Sequence, residues 1–204
     1  MNSVNLFKAT LEGADLTGAR LSLANLSEAK LIHTNLTDVN LELANLSNAD
    51  LYEAVLSRAN LSEATLINAK LYNAKLDNAD LSLANLSNST LVEADLREAK
   101  LGSANLSNAD LVKANLQDAY MVNANLSGAV FVVDGHQYLI DHPSEIGVDG
   151  LPEKLQEMMI KDTSEANLTG ADLGRANLTG AVISKDQLNS VKSLQGAILP
   201  SKLL

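Results

Sequence analysis

The 204 residues include no cysteine and no tryptophan, and only two phenylalanines, four tyrosines and three prolines. Without cysteine there are no disulfides, no thiolate metal ligands and no cysteine nucleophile. So few large rings point to a narrow core that admits leucine and alanine but not bulky aromatics. No apolar run approaches the roughly 20 residues of a membrane-spanning helix. A repeating pattern begins at Val4, which leaves no room for a signal peptide's basic and apolar regions. The expectation is therefore a soluble, cytoplasmic protein without membrane contact. Basic residues are in the minority, 15 against 25 acidic ones, for a net charge of −10. Direct nucleic-acid binding, which needs cations on phosphates, is not expected. The only histidines are His33, His136 and His142. No cysteine or paired acidic pattern joins them into a metal site, and no glycine-rich phosphate loop is present. No catalytic, cofactor-binding or metal-binding residue is assigned.

What the chain does have is a period of five. From Leu6 a leucine recurs at every fifth residue to Leu116, followed by Met121, Leu126 and Phe131. Two residues before almost every one stands a small residue, usually alanine, and between them an asparagine or aspartate is common. The small position departs from alanine at Val4, Thr34, Val39 and Ser89. Neither ordinary element can use this spacing. On an α-helix five residues advance about 500°, so the leucines would ring the helix. On a flat strand an odd spacing sends alternate leucines to opposite faces. They share one interior only if the chain turns a corner in every repeat. The string Leu-Ala-Asn-Leu-Ser at Leu23–Ser27, Leu43–Ser47 and Leu83–Ser87 recurs at multiples of twenty. Four repeats per turn give a square, solid solenoid, and a solid rod has no cleft in which carboxylates could be tuned for acid–base catalysis.

This run resembles the pentapeptide-repeat proteins, the short bacterial and cyanobacterial-type members in particular. The resemblance covers residues 4–133 and resumes at 166–183. It implies an all-β solenoid, a right-handed quadrilateral parallel β-helix, with the leucine and the small residue facing inward. It also implies a non-enzymatic scaffold that binds another protein, with regulatory roles known in the family. The alternative it implies is a DNA mimic that binds DNA gyrase or another type II topoisomerase. The partner protein is unidentified. The chain is expected as a monomer or an end-to-end homodimer.

The outward positions sort by twenties into four sides. Side one, centred on Leu6, Leu26, Leu46 and so on, is flanked by columns of asparagine and serine that can form ladders and bond turn backbone. Side two carries Ile32, Tyr52, Tyr72, Val92, Val112 and Val132 just after its leucines, an apolar and aromatic stripe of the kind that marks contact. Side three, centred on Leu16, Leu36 and Leu56, is charged, with Asp15, Asp38, Asp77, Asp95, Glu98 and Asp118 among Arg58, Lys75 and Arg97. Side four places Leu23, Leu43 and Leu83 at a corner, broken by Glu63, where they either cover the turn beneath or form a second contact line, with cover the favoured reading.

The period fails over residues 134–165. There Tyr138, Leu139 and Ile140 form a short extended candidate. Pro152 to Lys161 reads as a short helix with Leu151, Leu155, Met158 and Met159 on one face, expected to pack on the stripe near Val92, Val112 and Val132. The last repeats, 166–183, complete one more coil, and 184–204 form a cap with Ser184 capping a helix near Lys185–Ser193. The candidate interaction residues are Ile32, Tyr52, Tyr72 and Val92, and then Tyr138, Leu139 and Ile140.

Overall fold

The computed structural model describes residues 4–131 and 166–203. In it every repeat folds alike. The Asn/Asp position bridges its counterpart one coil away, the leucine follows, and two turn residues lead to the next alanine. Around Leu26 all five backbone N–H groups of a repeat can be traced. Leu26 donates to Asn45 O at 2.7 Å, Glu28 to Ser47 O at 2.9 Å and Asn25 to Val4 O at 2.9 Å. Ala29 donates back to Leu26 O at 3.0 Å and closes a β-turn. The fifth donor, Ser27 N–H, goes to the side-chain oxygen of Asn25 at 3.1 Å, and Ser27 Oγ donates to the same atom at 2.7 Å. The same side-chain bond recurs at Thr37, Ser47, Ser62, Ser82 and Ser107. This is why asparagine or aspartate precedes the leucine so often: its oxygen accepts the one N–H that neither the turn nor the neighbouring coil reaches.

The turns carry the square corners. Their third residue has a positive φ, as position i+2 of a type II turn requires. Glycine fills this place at corners such as Gly13 and Gly18, but side-chain-bearing residues such as Lys8, Glu53 and Asn68 hold it at most others, with φ between 52° and 61°. Each such residue gives up some energy to the left-handed conformation, of the order of 1 kcal/mol, which the ladder bond from its own N–H helps to offset.

Parallel bridges join residues twenty apart along the first tract, from Asn5↔Asn25 to Asp110↔Val130. They are isolated bridges rather than longer strands, because each side is only one extended residue wide before the next corner. The leucines and alanines stack down the axis, and from Ala24 to Phe131 the axial residues are buried. The first coil is less covered: Leu6, Leu11, Leu16 and Ala19 are partly buried, and Val4 and Phe7 are exposed. Thr34 and Ser89, polar residues in the small column, are buried with their hydroxyls donating to Leu11 O at 2.8 Å and Leu86 O at 2.7 Å.

The core is continuous across the break in the period. Asn115 bridges Asn167, Tyr120 bridges Asp172, Asn125 bridges Asn177 and Val130 bridges Val182. Ala166 N–H donates to Phe131 O at 2.9 Å, the same turn-closing bond that Ala29 makes to Leu26. Residues 166–183 therefore re-enter in frame. The expected helix at Pro152 to Lys161 and the extended candidate Tyr138, Leu139 and Ile140 lie outside the described residues.

Helix α1, Lys185–Ser190, follows. Ser184 caps it: Gln187 N–H donates to Ser184 Oγ at 3.1 Å, and Ser184 N–H donates to Gln187 Oε1 at 2.8 Å. Leu188 is buried against the last core layer. The helix is shorter than the expected Lys185–Ser193. Val191 is extended (φ −74°, ψ 151°), Lys192 N–H donates to Ala171 O at 2.9 Å, and Ser193 bridges Asp172, so the ladder outcompetes a further helical turn. Ile198 bridges Asn177 in the same way. The buried Gln187 amide donates to Phe131 O at 3.3 Å and Ala166 O at 3.0 Å, and so clamps the two ends of the break from the cap.

Candidate functional site

Side two carries a stacked aromatic pair beside a groove. Tyr52 and Tyr72 occupy the same outward position on adjacent coils, and their register is set by the bridge Asp50↔Lys70. Their rings are parallel, 2° apart in plane with centroids at 5.4 Å. The His33 ring meets Tyr52 edge-on, at 5.9 Å and 83°, and His33 Nδ1 lies 3.3 Å from Glu53 Oε2. Stacks of this kind add about 0.5–1.5 kcal/mol per pair beyond area burial and hold the rings rigid. Beside the rings runs a groove of about 420 Å³, lined by Ile32, Asp50, Tyr52, Lys70, Tyr72 and Thr90. The apolar wall therefore faces a row of polar side chains of both signs. The Tyr52 phenol ionises above the ordinary tyrosine value: its hydrogen bond to Glu53 raises it most, and loss of hydration and the charges of Glu53 and Glu93 act the same way. It remains a neutral donor.

Tyr52 is 38% exposed, and Ile32 and Tyr72 are half-buried. The stripe does not continue open beyond them. Val92 and Val112 stand in the same outward register but are 3% and 2% exposed, without belonging to the axial core cluster. Val92 thus differs from the other three in offering almost no accessible surface. Of the described residues of the stripe, Ile32, Tyr52 and Tyr72 offer accessible surface. Tyr138, Leu139 and Ile140 lie outside the described residues. Sequence periodicity did not single out Asp50, Lys70 and Thr90, although they follow from it: they are the bridge column next to the stripe.

The other sides have plainer chemistry. On side one, asparagine amides step from coil to coil, Asn105 Nδ2 to Asn85 Oδ1 at 3.1 Å and Asn125 Nδ2 to Asn105 Oδ1 at 3.0 Å. On side three the Arg58 guanidinium donates twice to Asp38, at 2.8 and 2.7 Å, and Arg97 pairs with Asp95. Cations thus interrupt the acidic side among the described residues. Among the described residues no cluster of His, Cys, Asp or Glu is spaced to hold a metal ion, and no helix is long and apolar enough to cross a membrane.

These ion pairs predict a pH profile. Hydrogen bonds from Arg58, from Arg97 and from Thr17 hold Asp38, Asp95 and Asp15 below the ordinary carboxylate value. A lowered folded pKa contributes stability that is present above the unfolded value, about 3.9, and lost as pH falls through the folded one. Tyr52, raised, contributes below about 10 and loses that contribution as pH rises through its folded value. The thermal midpoint should hold level between pH 8 and 5 and drop only below about pH 4. A midpoint that declines steadily from pH 7 to pH 5 would contradict this assignment.

No curated protein matches the chain. Pentapeptide repeats, in eight copies, match residues 5–42, 44–82, 79–118, 109–132 and 164–185. Among solved structures, HetL, a pentapeptide-repeat protein involved in heterocyst differentiation regulation from the cyanobacterium Nostoc sp. strain PCC 7120, is 32% identical over 99% of this chain and 85% of its own, with a TM-score of 0.46. A trypsin-treated form of QnrB1, a plasmid-mediated fluoroquinolone resistance protein, is 16% identical over 98% of this chain and 88% of its own, with a TM-score of 0.62. Rfr23, a pentapeptide-repeat protein of the cyanobacterium Cyanothece 51142, is 22% identical over 93% and 90%, with a TM-score of 0.22. With the five-residue ladder, the leucine–alanine axis and this match over most of its length, the chain belongs to the pentapeptide-repeat family and folds as a repeat solenoid.

Proposed function

We propose that this protein is a non-enzymatic scaffold that binds a protein partner through the groove of side two. The observation that supports the reading is the stacked pair of Tyr52, exposed, and Tyr72, half-buried, beside a groove with an apolar wall and a polar row. Tyrosines held rigid in this way bring large contact area at little entropic cost, and tyrosine is enriched among residues that dominate binding energy. Asp50, Lys70 and Thr90 supply hydrogen bonds and charges that orient the partner. From Ala24 to Phe131 the axial leucines and alanines are buried; they build the rod and contribute nothing to recognition.

The test is Tyr52→Ser combined with Tyr72→Ser. Both side chains lie outside the axial core, so the thermal midpoint should move little. A hot-spot tyrosine contributes about 2 kcal/mol, roughly thirtyfold in affinity, so the double variant should lose the partner in affinity capture from the native cell. Capture repeated without residues 134–165 separates binding by the rod from binding by that segment. A partner held equally by the wild type and the double variant would move the interaction off side two.

A further inference from the structure

Leu23, Leu43 and Leu83 do not cover the turn beneath them. They are 52%, 47% and 60% exposed. Each is the third residue of its turn, with φ of 61°, 58° and 61°. That is the left-handed region, which asparagine and glycine enter more readily than leucine. Asn48, Asn68, Asn78 and Asn108 take the equivalent place at other corners. Leucine here therefore gains neither from the backbone nor from burial. The three stand in one line at the corner between sides four and one, on coils held in register by Asn25↔Asn45 and Thr65↔Asn85. Glu63 completes the line between Leu43 and Leu83 at the same turn position (φ 57°), and Glu42 sits next to Leu43.

We infer that this leucine line is a second contact surface, separate from the tyrosine groove, and that its occupant is a basic amphipathic helix of a partner protein. The coils are about 4.8 Å apart, so Leu23 to Leu83 spans about 14 Å. A helix laid along the rod presents an apolar side chain about every 5.4 Å and covers that span in roughly ten residues. Its apolar stripe would pack between the leucines, and lysine or arginine on its flanks would meet Glu42 and Glu63. The net charge of −10 favours the approach of such a helix and disfavours an acidic one.

The probe is a synthetic 18-residue peptide of leucine and lysine with the leucines at helical spacing. It is titrated against the full chain, with a scrambled peptide of the same composition as control. The variant is Leu23→Asn, Leu43→Asn and Leu83→Asn together. The expected result is at least tenfold tighter binding of the patterned peptide than of the scrambled one. The triple variant should bind the patterned peptide at least tenfold more weakly, with a thermal midpoint unchanged or a few degrees higher. Equal binding by variant and wild type overturns the inference, as does equal binding of the two peptides. A clear fall in the variant's midpoint overturns it as well, because the leucines would then be structural. Tyr52→Ser with Tyr72→Ser should leave peptide binding intact; loss there would place the peptide in the groove and also overturn the inference.

Discussion

Leu66→Asp should abolish the cooperative fold, whereas Leu11→Asp should only fray one end. Leu66 is fully buried, in register with Leu46 below and Leu86 above through Asn45↔Thr65 and Thr65↔Asn85. Among the described residues no lysine or arginine is buried, so an introduced carboxylate is either charged without a partner or protonated at the expense of folding. The penalty of burying an unpaired charge is several kcal/mol, against a total stability of about 5–15 kcal/mol for a domain. Leu66→Ala, which removes volume alone, should destabilise by about 2–5 kcal/mol. Leu11 sits in the first coil, is only partly buried, and has a coil on one side alone among the described residues. A solenoid's stability is close to a sum over neighbouring interfaces, so a central break removes two interfaces and a terminal one removes one. Circular dichroism during thermal unfolding, with limited proteolysis of both variants, checks this. Equal losses at the two positions would show that stability is spread differently along the rod.

Much of this architecture could be read from spacing alone, because each repeat obeys the same local rule. Leucine every fifth residue placed Leu26, Leu46 and Leu86 on the axis, and the twenty-residue offset paired Asn5 with Asn25 and Asp110 with Val130. The stripe position of Tyr52 and Tyr72 followed from the same offset, and their stacking from the coil spacing. What spacing could not carry was anything that depends on a non-repeating contact. Gln187 clamps Phe131 and Ala166 from 56 and 21 residues away, and nothing in its local sequence marks it. The buried state of Val92 and Val112 likewise breaks the equivalence of positions that periodicity assumes. The corner leucines depart from the favoured expectation for a different reason. Leucine seeks burial, which points to Leu23, Leu43 and Leu83 as turn cover. At a left-handed corner residue on a convex edge, however, there is nothing beneath the side chain to cover.

The in-frame return at Ala166 leads to the second large effect. A chain lacking residues 134–165 joins Val133 to Ala166 and restores Phe131-Val132-Val133-Ala166 as an ordinary four-residue turn. The bond from Ala166 N–H to Phe131 O at 2.9 Å already closes that turn across the break. Val133 would then occupy the left-handed third position, where a β-branched residue is strained, so Val133→Asn belongs in the same variant. This chain should fold with a continuous ladder, since shortening the connection between Phe131 and Ala166 to a two-residue corner recovers about 2 kcal/mol of closure entropy. Removing one residue more, 134–166, has the opposite outcome. The turn then reads Phe131-Val132-Val133-Asn167, so Asn167 is forced into the axial column where Ala166 stood and every later residue is displaced by one place. Asn167 can no longer meet Asn115, nor Asp172 meet Tyr120, so residues 167–203 lose both their coil and the Gln187 clamp. Amide exchange and proteolysis should show that region protected in the first chain and open in the second. Like behaviour of the two would mean that the last coil is held by something other than its place in the five-residue frame.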